Sequence, residues 1–152
     1  MKKTILALAA LAMSGSVLAQ ALKPADAIKT RQAGYRYLSW SVGKIKANVE
    51  GNAYNKAEVI AAARTIAAIA NSGMGALYIP GSEKDVGSVK TYVKPEFFQN
   101  QQEVGKVAQD FNREANAIAE VASTGDAAAV KAQLGKLGGT CKACHDKFKN
   151  RD

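Results

Sequence analysis

An all-α fold, an antiparallel four-helix bundle, is what the sequence predicts, and three observations carry the prediction. Apolar residues recur at helical spacing in four separate stretches of the 152-residue chain. Period-two alternation is confined to a weak run at residues 86–93. The links between the first and second stretches, and between the third and fourth, are short, so these helices must fold back on each other.

The first helix is predicted over residues 24–49. Ile28, Tyr35, Val42 and Val49 fall seven apart, with Leu38 and Ile45 between them, which makes an a/d seam. Pro24 suits a first turn, where its missing N–H costs nothing, and Asp26 suits the positive end of the helix dipole. Gly51 ends the helix. Trp40 falls on the outer face, either as an interface anchor or lying over its own helix or the long loop.

The second helix opens at Asn55, an N-cap with the acidic Glu58 at N3. It continues through Val59, Ala63, Ile66 and Ala70 and stops at Asn71-Ser72-Gly73. A long connection follows to Lys94, with four glycines and Pro80. Loops of this size are uncommon unless functional, and this one is expected to cross one end of the bundle.

The third helix is predicted to begin at Pro95. Phe97, Val104, Phe111 and Ile118 fall seven apart, joined by Ala108, Ala115 and Ala122, and Gly125 stops the run. Asp126 caps the fourth helix, whose stripe is Val130, Leu134, Leu137, Cys141, Cys144 and Phe148. Both cysteines therefore fall on its buried face.

The chain's two cysteines and single histidine lie within five positions, Cys141 to His145. C-x-x-C-H is the pattern for covalent haem c attachment, in which two thiols bond the vinyl groups and the histidine is an axial iron ligand. On a helix, His145 lies one turn beyond Cys141, so thiols and imidazole meet one flat haem without breaking the helix. A thioredoxin-like centre needs a βαβ setting, a structural zinc site needs four N/S ligands, and a disulfide here closes too small a loop to staple anything. A haem-free thiol or zinc module is the outside alternative.

With one histidine, bis-His ligation is impossible. Met74 is the methionine that remains after a leader carrying Met1 and Met13 is lost; it is either a sixth ligand or a loop residue packing on the bundle end. A lysine ligand would need an unprotonated buried amine. Tyr35, on the seam facing the far side of the haem, is read either as a distal gate or as an ordinary core tyrosine. Arg31 sits one turn earlier, where an apolar residue was due. It either meets a haem propionate or snorkels to water at the bundle end.

Lys2 and Lys3, an apolar run to Met13 and the small residues before Ala19 read as a secretory signal peptide, residues 1–19, with cleavage after Ala19 or, alternatively, Ala21. Residues 20–152 then form one domain of 133 residues. Without the two leader lysines the formal charge falls from +8 to +6. The basic residues are spread along the chain, which argues for a solvated surface and against nucleic-acid binding. No segment is long enough to span a bilayer, so no membrane anchor is expected after cleavage.

These residues resemble the cytochrome c′ family, the class II c-type cytochromes. The resemblance runs through Lys23-Pro24-x-Asp26-Ala27, Arg31-Gln32, Pro80-Gly81-Ser82-Glu83, Lys94-Pro95-Glu96, Gly125-Asp126 and Cys141-Lys-Ala-Cys-His-Asp146, essentially the whole mature chain. It implies a left-handed four-helix bundle with one covalent haem c, a homodimer through the first two helices, and a periplasmic location. It also implies a five-coordinate high-spin iron that binds NO and CO but holds O2 unstably.

By the same resemblance Tyr35 falls at the distal position, Arg31 and Gln32 on the distal and propionate side, and Lys149 one turn past His145 on the proximal side, where many members carry arginine. Lysine lacks the planar guanidinium fork, a departure that bears on proximal NO chemistry. A low-spin subgroup places methionine on the first helix, and none occurs there. The leading reading is a haem protein for small gaseous ligands, with a role in NO binding or resistance and not an enzyme. No second titratable group is placed for acid–base work beside the iron. The alternative is a low-spin electron-transfer cytochrome with an internal sixth ligand, docking a redox partner through Lys142, Lys147, Lys149 and Arg151.

Overall fold

The computed structural model describes residues 22–124 and 126–150. The signal peptide with its cleavage after Ala19, the helix stop at Gly125, and Arg151 lie outside the described residues.

Helix α1 (Pro24–Glu50) begins with Pro24 in its first turn and Asp26 against the dipole. At 27 residues it is about 40 Å long. A Cβ on Gly51 would stand 2.5 Å from the Ala47 carbonyl oxygen, so glycine is what lets the chain leave the helix there.

Helix α2 (Lys56–Ala70) is capped by Asn55, whose side chain accepts from the Glu58 amide at 3.1 Å. The Glu58 carboxylate turns to α1 instead, where it accepts from Asn48 at 2.9 Å and pairs with Lys44 at 3.0 Å. The Asn55 amide donates to Asn48 at 2.7 Å, so Asn48 ties the α1–α2 corner from the neighbouring helix.

The third predicted helix is two. A short turn, α3 (Glu96–Gln99), is separated from α4 (Gln101–Thr124) at Asn100, which has left helical geometry with φ −112° and ψ 56°. Its amide and its side chain both donate to the Glu96 carbonyl, the local bonding by which asparagine competes with helix continuation. Beyond the break Ala115, Ile118 and Ala122 are buried as their spacing predicts, with one exception. Val107 is buried and Ala108 is exposed, although the unbroken periodicity put Ala108 inside. Helix α5 (Ala127–Phe148) starts at Asp126, whose carboxylate accepts from the Ala128 and Ala129 amides at 2.9 and 3.2 Å.

The four long helices close a ring in the order α1, α2, α4, α5. Their dry core is Leu38 and Ile45 from α1, Val59, Ala63 and Ile66 from α2, Ala115, Ile118 and Ala122 from α4, and Val130 and Leu137 from α5. Removing such side chains from water is the main stabilising term. This core stops short of Tyr35 on α1 and of Cys141 on α5.

At that end the long loop crosses the bundle. It contains a 3₁₀ turn, Met74–Leu77, and a tight reversal in which Val86 and Val89 exchange backbone hydrogen bonds across Gly87 at φ +59°. It then pairs with the last residues of α5. Lys94 N–H donates to the Phe148 carbonyl and Asn150 N–H to the Tyr92 carbonyl, each at 2.9 Å. Among the described residues no helix is long and apolar enough to cross a membrane.

Candidate functional site

Along α1 the buried stripe runs Ala27, Ile28, Arg31, then Leu38, Ser41, Ile45 and Asn48. One turn is missing from it. Tyr35, at the skipped position, is 43% exposed, so it is not an ordinary core tyrosine. Along α5 the buried residues are Val130, Gln133, Leu137 and Phe148, and the two stripe positions between the last pair, Cys141 and Cys144, are half-buried. Their helix-mates Lys142, Ala143 and His145 are exposed. The expectation of cysteines on the inward face thus holds in direction, but neither is sealed in the core.

The two interruptions face one another. Cys141 and Cys144 lie within electrostatic reach of the Tyr35 phenol, and Cys144 also within reach of Tyr78 from the loop. Helix α1 touches α5 more sparsely than it touches α2, or than α4 touches α5. Two free thiols, an exposed imidazole one turn on, and a tyrosine with an open flank on the opposing helix are a donor set and a gap that suit a flat haem gripped from one side. Cys141, Cys144 and His145 are the residues able to hold it.

The Tyr35 and Tyr78 phenols lie close enough to perturb each other. Burial pushes both up, so both stay protonated at neutral pH. Tyr78 in turn stacks on Phe97 at 4.2 Å between ring centroids, and Phe97 packs edge-on against Phe148 at 5.7 Å.

Arg31 is 1% exposed and does not snorkel to water. Its guanidinium donates to the Leu77 carbonyl at 3.1 Å, to the Ser82 hydroxyl at 2.8 Å, to the Ser82 carbonyl at 2.7 Å, and to the Thr91 hydroxyl. Its flat face covers the Tyr78 ring at 4.6 Å. Burial draws its pKa below the ordinary guanidinium value, offset by the two nearby phenols. Neutral loop acceptors occupy both of its terminal nitrogens. Gln32 does the same work beside it, donating to the Lys90 carbonyl at 2.6 Å.

His145 is drawn to a lower pKa by partial burial and by the charge of Lys149, against a smaller opposite effect of Asp146. Lys149 follows directly on α5 and its backbone pairs with Val93. Its charge lies within electrostatic reach of the imidazole. Two lysines of the expected docking patch are engaged in ion pairs, Lys142 with Asp146 and Lys147 with Glu103. Met74 packs its sulfur over α1, 3.0 Å from where a Cβ on Gly34 would be.

Tyr78, Ser82, Thr91 and Phe97 around this site escaped the sequence reading of function. The length of the loop was the available signal; its irregular backbone has no period from which side-chain directions follow.

A bundle of four helices with two thiols and an imidazole on the last of them defines a c-type haem-binding bundle. The family model for cytochrome c′ matches residues 26–149, and the chain belongs to that family, whose cofactor is haem c. Cytochrome c′ of Allochromatium vinosum is 58% identical over 146 residues, which cover 96% of this chain and 94% of that protein. A solved cytochrome c′ described as having ligand-controlled dimer dissociation superposes with a TM-score of 0.84 at 60% identity, covering 86% of this chain and 98% of the other. The Alcaligenes xylosoxidans protein has been solved as an arginine-to-lysine variant with NO bound, at a TM-score of 0.75 and 27% identity over 86% of this chain and 98% of that one. A carbon monoxide-bound variant of the same protein matches at 0.74 and 26%, over 85% and 98%.

Proposed function

We propose that this chain is a periplasmic haem c protein that binds NO and CO at an iron ligated by His145, with Tyr35 over the opposite face. The observation that carries the reading is the paired interruption of two buried stripes, Tyr35 on α1 and Cys141 with Cys144 on α5. Cys141 and Cys144 would hold the haem as thioethers and a ring nitrogen of His145 would ligate its iron; when bound, the iron would supply the affinity for diatomic gases.

Tyr35 excludes larger ligands from the opposite face and leaves room for a diatomic once its ring shifts. Lys149 stands near the imidazole, where it affects the histidine's electronic character through its charge. Arg31 and Gln32 support the distal side by holding the loop; a propionate contact would have to use what their loop bonds leave free. Export, a homodimer through α1 and α2, and a role in NO binding or resistance without catalysis complete the proposal. The exposed Tyr37 and Trp40 rings on α1, stacked at 5.3 Å, support a second copy there.

The deciding experiment is the optical and EPR spectrum of the purified holoprotein, ferric and then ferrous with NO added. High-spin ferric signals and ready uptake of NO are expected. A low-spin six-coordinate spectrum that resists NO would replace this reading with an electron-transfer cytochrome, with Met74 as the first ligand to test.

A further inference from the structure

Resting on the haem reading, the chain that crosses the end of the bundle also bears on the residue that would ligate the iron. We propose that Lys94 and Phe97 are positioning residues for His145: together they hold the last turn of α5, the turn that carries the imidazole, against the bundle.

His145 lies in the final turn of its helix, where the closing carbonyls have no partner within the helix and a turn left alone would fray. Here three of those carbonyls are taken up. Lys149 N–H donates to the His145 carbonyl at 3.1 Å, the Lys94 ammonium to the Asp146 carbonyl at 3.3 Å, and the Lys94 amide to the Phe148 carbonyl at 2.9 Å. Lys94 thus bonds two carbonyls of the turn and sets a positive charge at the negative end of the helix dipole. Past the helix, Asn150 N–H donates to the Tyr92 carbonyl at 2.9 Å, which closes an antiparallel clasp around Val93 and Lys149.

Side chains close the same junction. Phe148, one turn after His145, is 5% exposed, and Phe97 packs edge-on against it at 5.7 Å. Phe97 is itself backed by Tyr78, stacked at 4.2 Å, and Lys147 pairs with Glu103 of α4. Tyr92 adopts φ +56°, in the left-handed region that disfavours any residue with a side chain. Such a conformation persists where the contacts around it over-determine it. Here it immediately precedes the residues that meet the helix end. An imidazole on a turn seated in this way has its direction fixed by the backbone beneath it. Lys94 and Phe97 can both be altered without touching the haem motif.

The test uses the holoprotein with Lys94→Met, Phe97→Ala and the conservative Lys94→Arg and Phe97→Leu. It is read on amide hydrogen exchange and on the iron–imidazole stretching band in the ferrous resonance Raman spectrum. Phe97→Ala is expected to speed exchange at the Lys94 and Asn150 amides about tenfold, and Lys94→Met to speed exchange at Asn150 about threefold. Exchange at the core amide of Ile118 should stay at the parent rate. The iron–imidazole band should shift in both variants and return towards the parent in Lys94→Arg and Phe97→Leu. Unchanged exchange at the reporter amides, or an equal rise at Ile118, would overturn the clasp. Faster local exchange with a parent-like band would overturn the positioning role. A parent with no iron–imidazole band would fell the haem reading and the positioning role with it, while the exchange rates would still show the clasp closed.

Discussion

Arg31 and Ser82 are 51 residues apart in sequence and joined by two hydrogen bonds, one to the serine hydroxyl at 2.8 Å and one to its carbonyl at 2.7 Å. Ser82 is itself fully buried, and its hydroxyl passes a bond on to the Ile79 carbonyl at 2.7 Å. One side chain of α1 thus organises the interior of a loop that has no regular structure of its own.

Removing that side chain should be expensive. Arg31→Ala takes the donor from the Leu77 carbonyl and from the Ser82 and Thr91 hydroxyl oxygens and leaves the Ser82 carbonyl only the Thr91 hydroxyl, and a loss of about 2–4 kcal/mol in unfolding free energy is expected. Urea titration of the holoprotein measures it. A loss below about 0.5 kcal/mol, the level of an ordinary surface change, would show that the loop is held by something else.

The haem assignment predicts separable losses. His145→Ala should keep the covalent haem and lose the parent's axial ligation, visible in the ferric spectrum, whereas Cys141→Ala or Cys144→Ala should leave one thioether. With both cysteines replaced, acid–acetone should extract the haem. A parent-like spectrum in His145→Ala would exclude it as the ligand.

Tyr35→Ala removes the ring proposed to stand over the distal face and should raise CO affinity by about tenfold, the cost of displacing part of a packed aromatic side chain. Equilibrium titration of the ferrous protein with CO decides it. Unchanged affinity would make Tyr35 irrelevant to the site.

The α1–α2 corner predicts an acid sensitivity. The Asn48 amide and the neighbouring Lys44 hold the Glu58 carboxyl below its ordinary 4.5. A carboxylate with a depressed folded pKa stabilises fully above its unfolded value, and that contribution is lost as pH falls through the folded one. The stability gap between the parent and Glu58→Gln should therefore be constant above pH 4.5 and shrink below it. A gap independent of pH would mean that the charge is not what matters there.

Trp40 predicts self-association. Its ring is 54% exposed, stacked on Tyr37 and covered on one side by Lys44 at 4.3 Å, so it lies along its own helix and still presents an aromatic surface. Trp40→Ala should weaken a dimer at least tenfold in sedimentation equilibrium, as expected of a central aromatic anchor. An unaltered dissociation constant would move the interface elsewhere.

The parts of this molecule that were legible in the sequence are those governed by local rules. Ile28, Leu38 and Ile45 are buried as their spacing required, Asn55 and Asp126 cap the helices they precede, and the Cys141–His145 spacing announces its chemistry one turn at a time. What escaped depends on the chain's return to itself. The same apolar rhythm runs straight through Asn100, so the break there and the exposure of Ala108 were hidden. The partners of Arg31 lie 46 to 60 residues away in a segment without periodicity, and a neutral cage of carbonyls and hydroxyls leaves no charge pattern to read.

The clamp between Arg31 and the loop also has a place in time. Helices α4 and α5 can form a hairpin from neighbouring residues, but the bonds of Arg31 must close chain segments of about 50 residues, and such closures come late because their entropy is lost before any contact rewards it. Contacts made after the rate-limiting barrier are felt on the way out of the native state, not on the way in. Weakening this clamp should leave refolding at its normal speed and shorten the lifetime of the folded molecule, so the arginine that orders the loop should also set how long the protein endures.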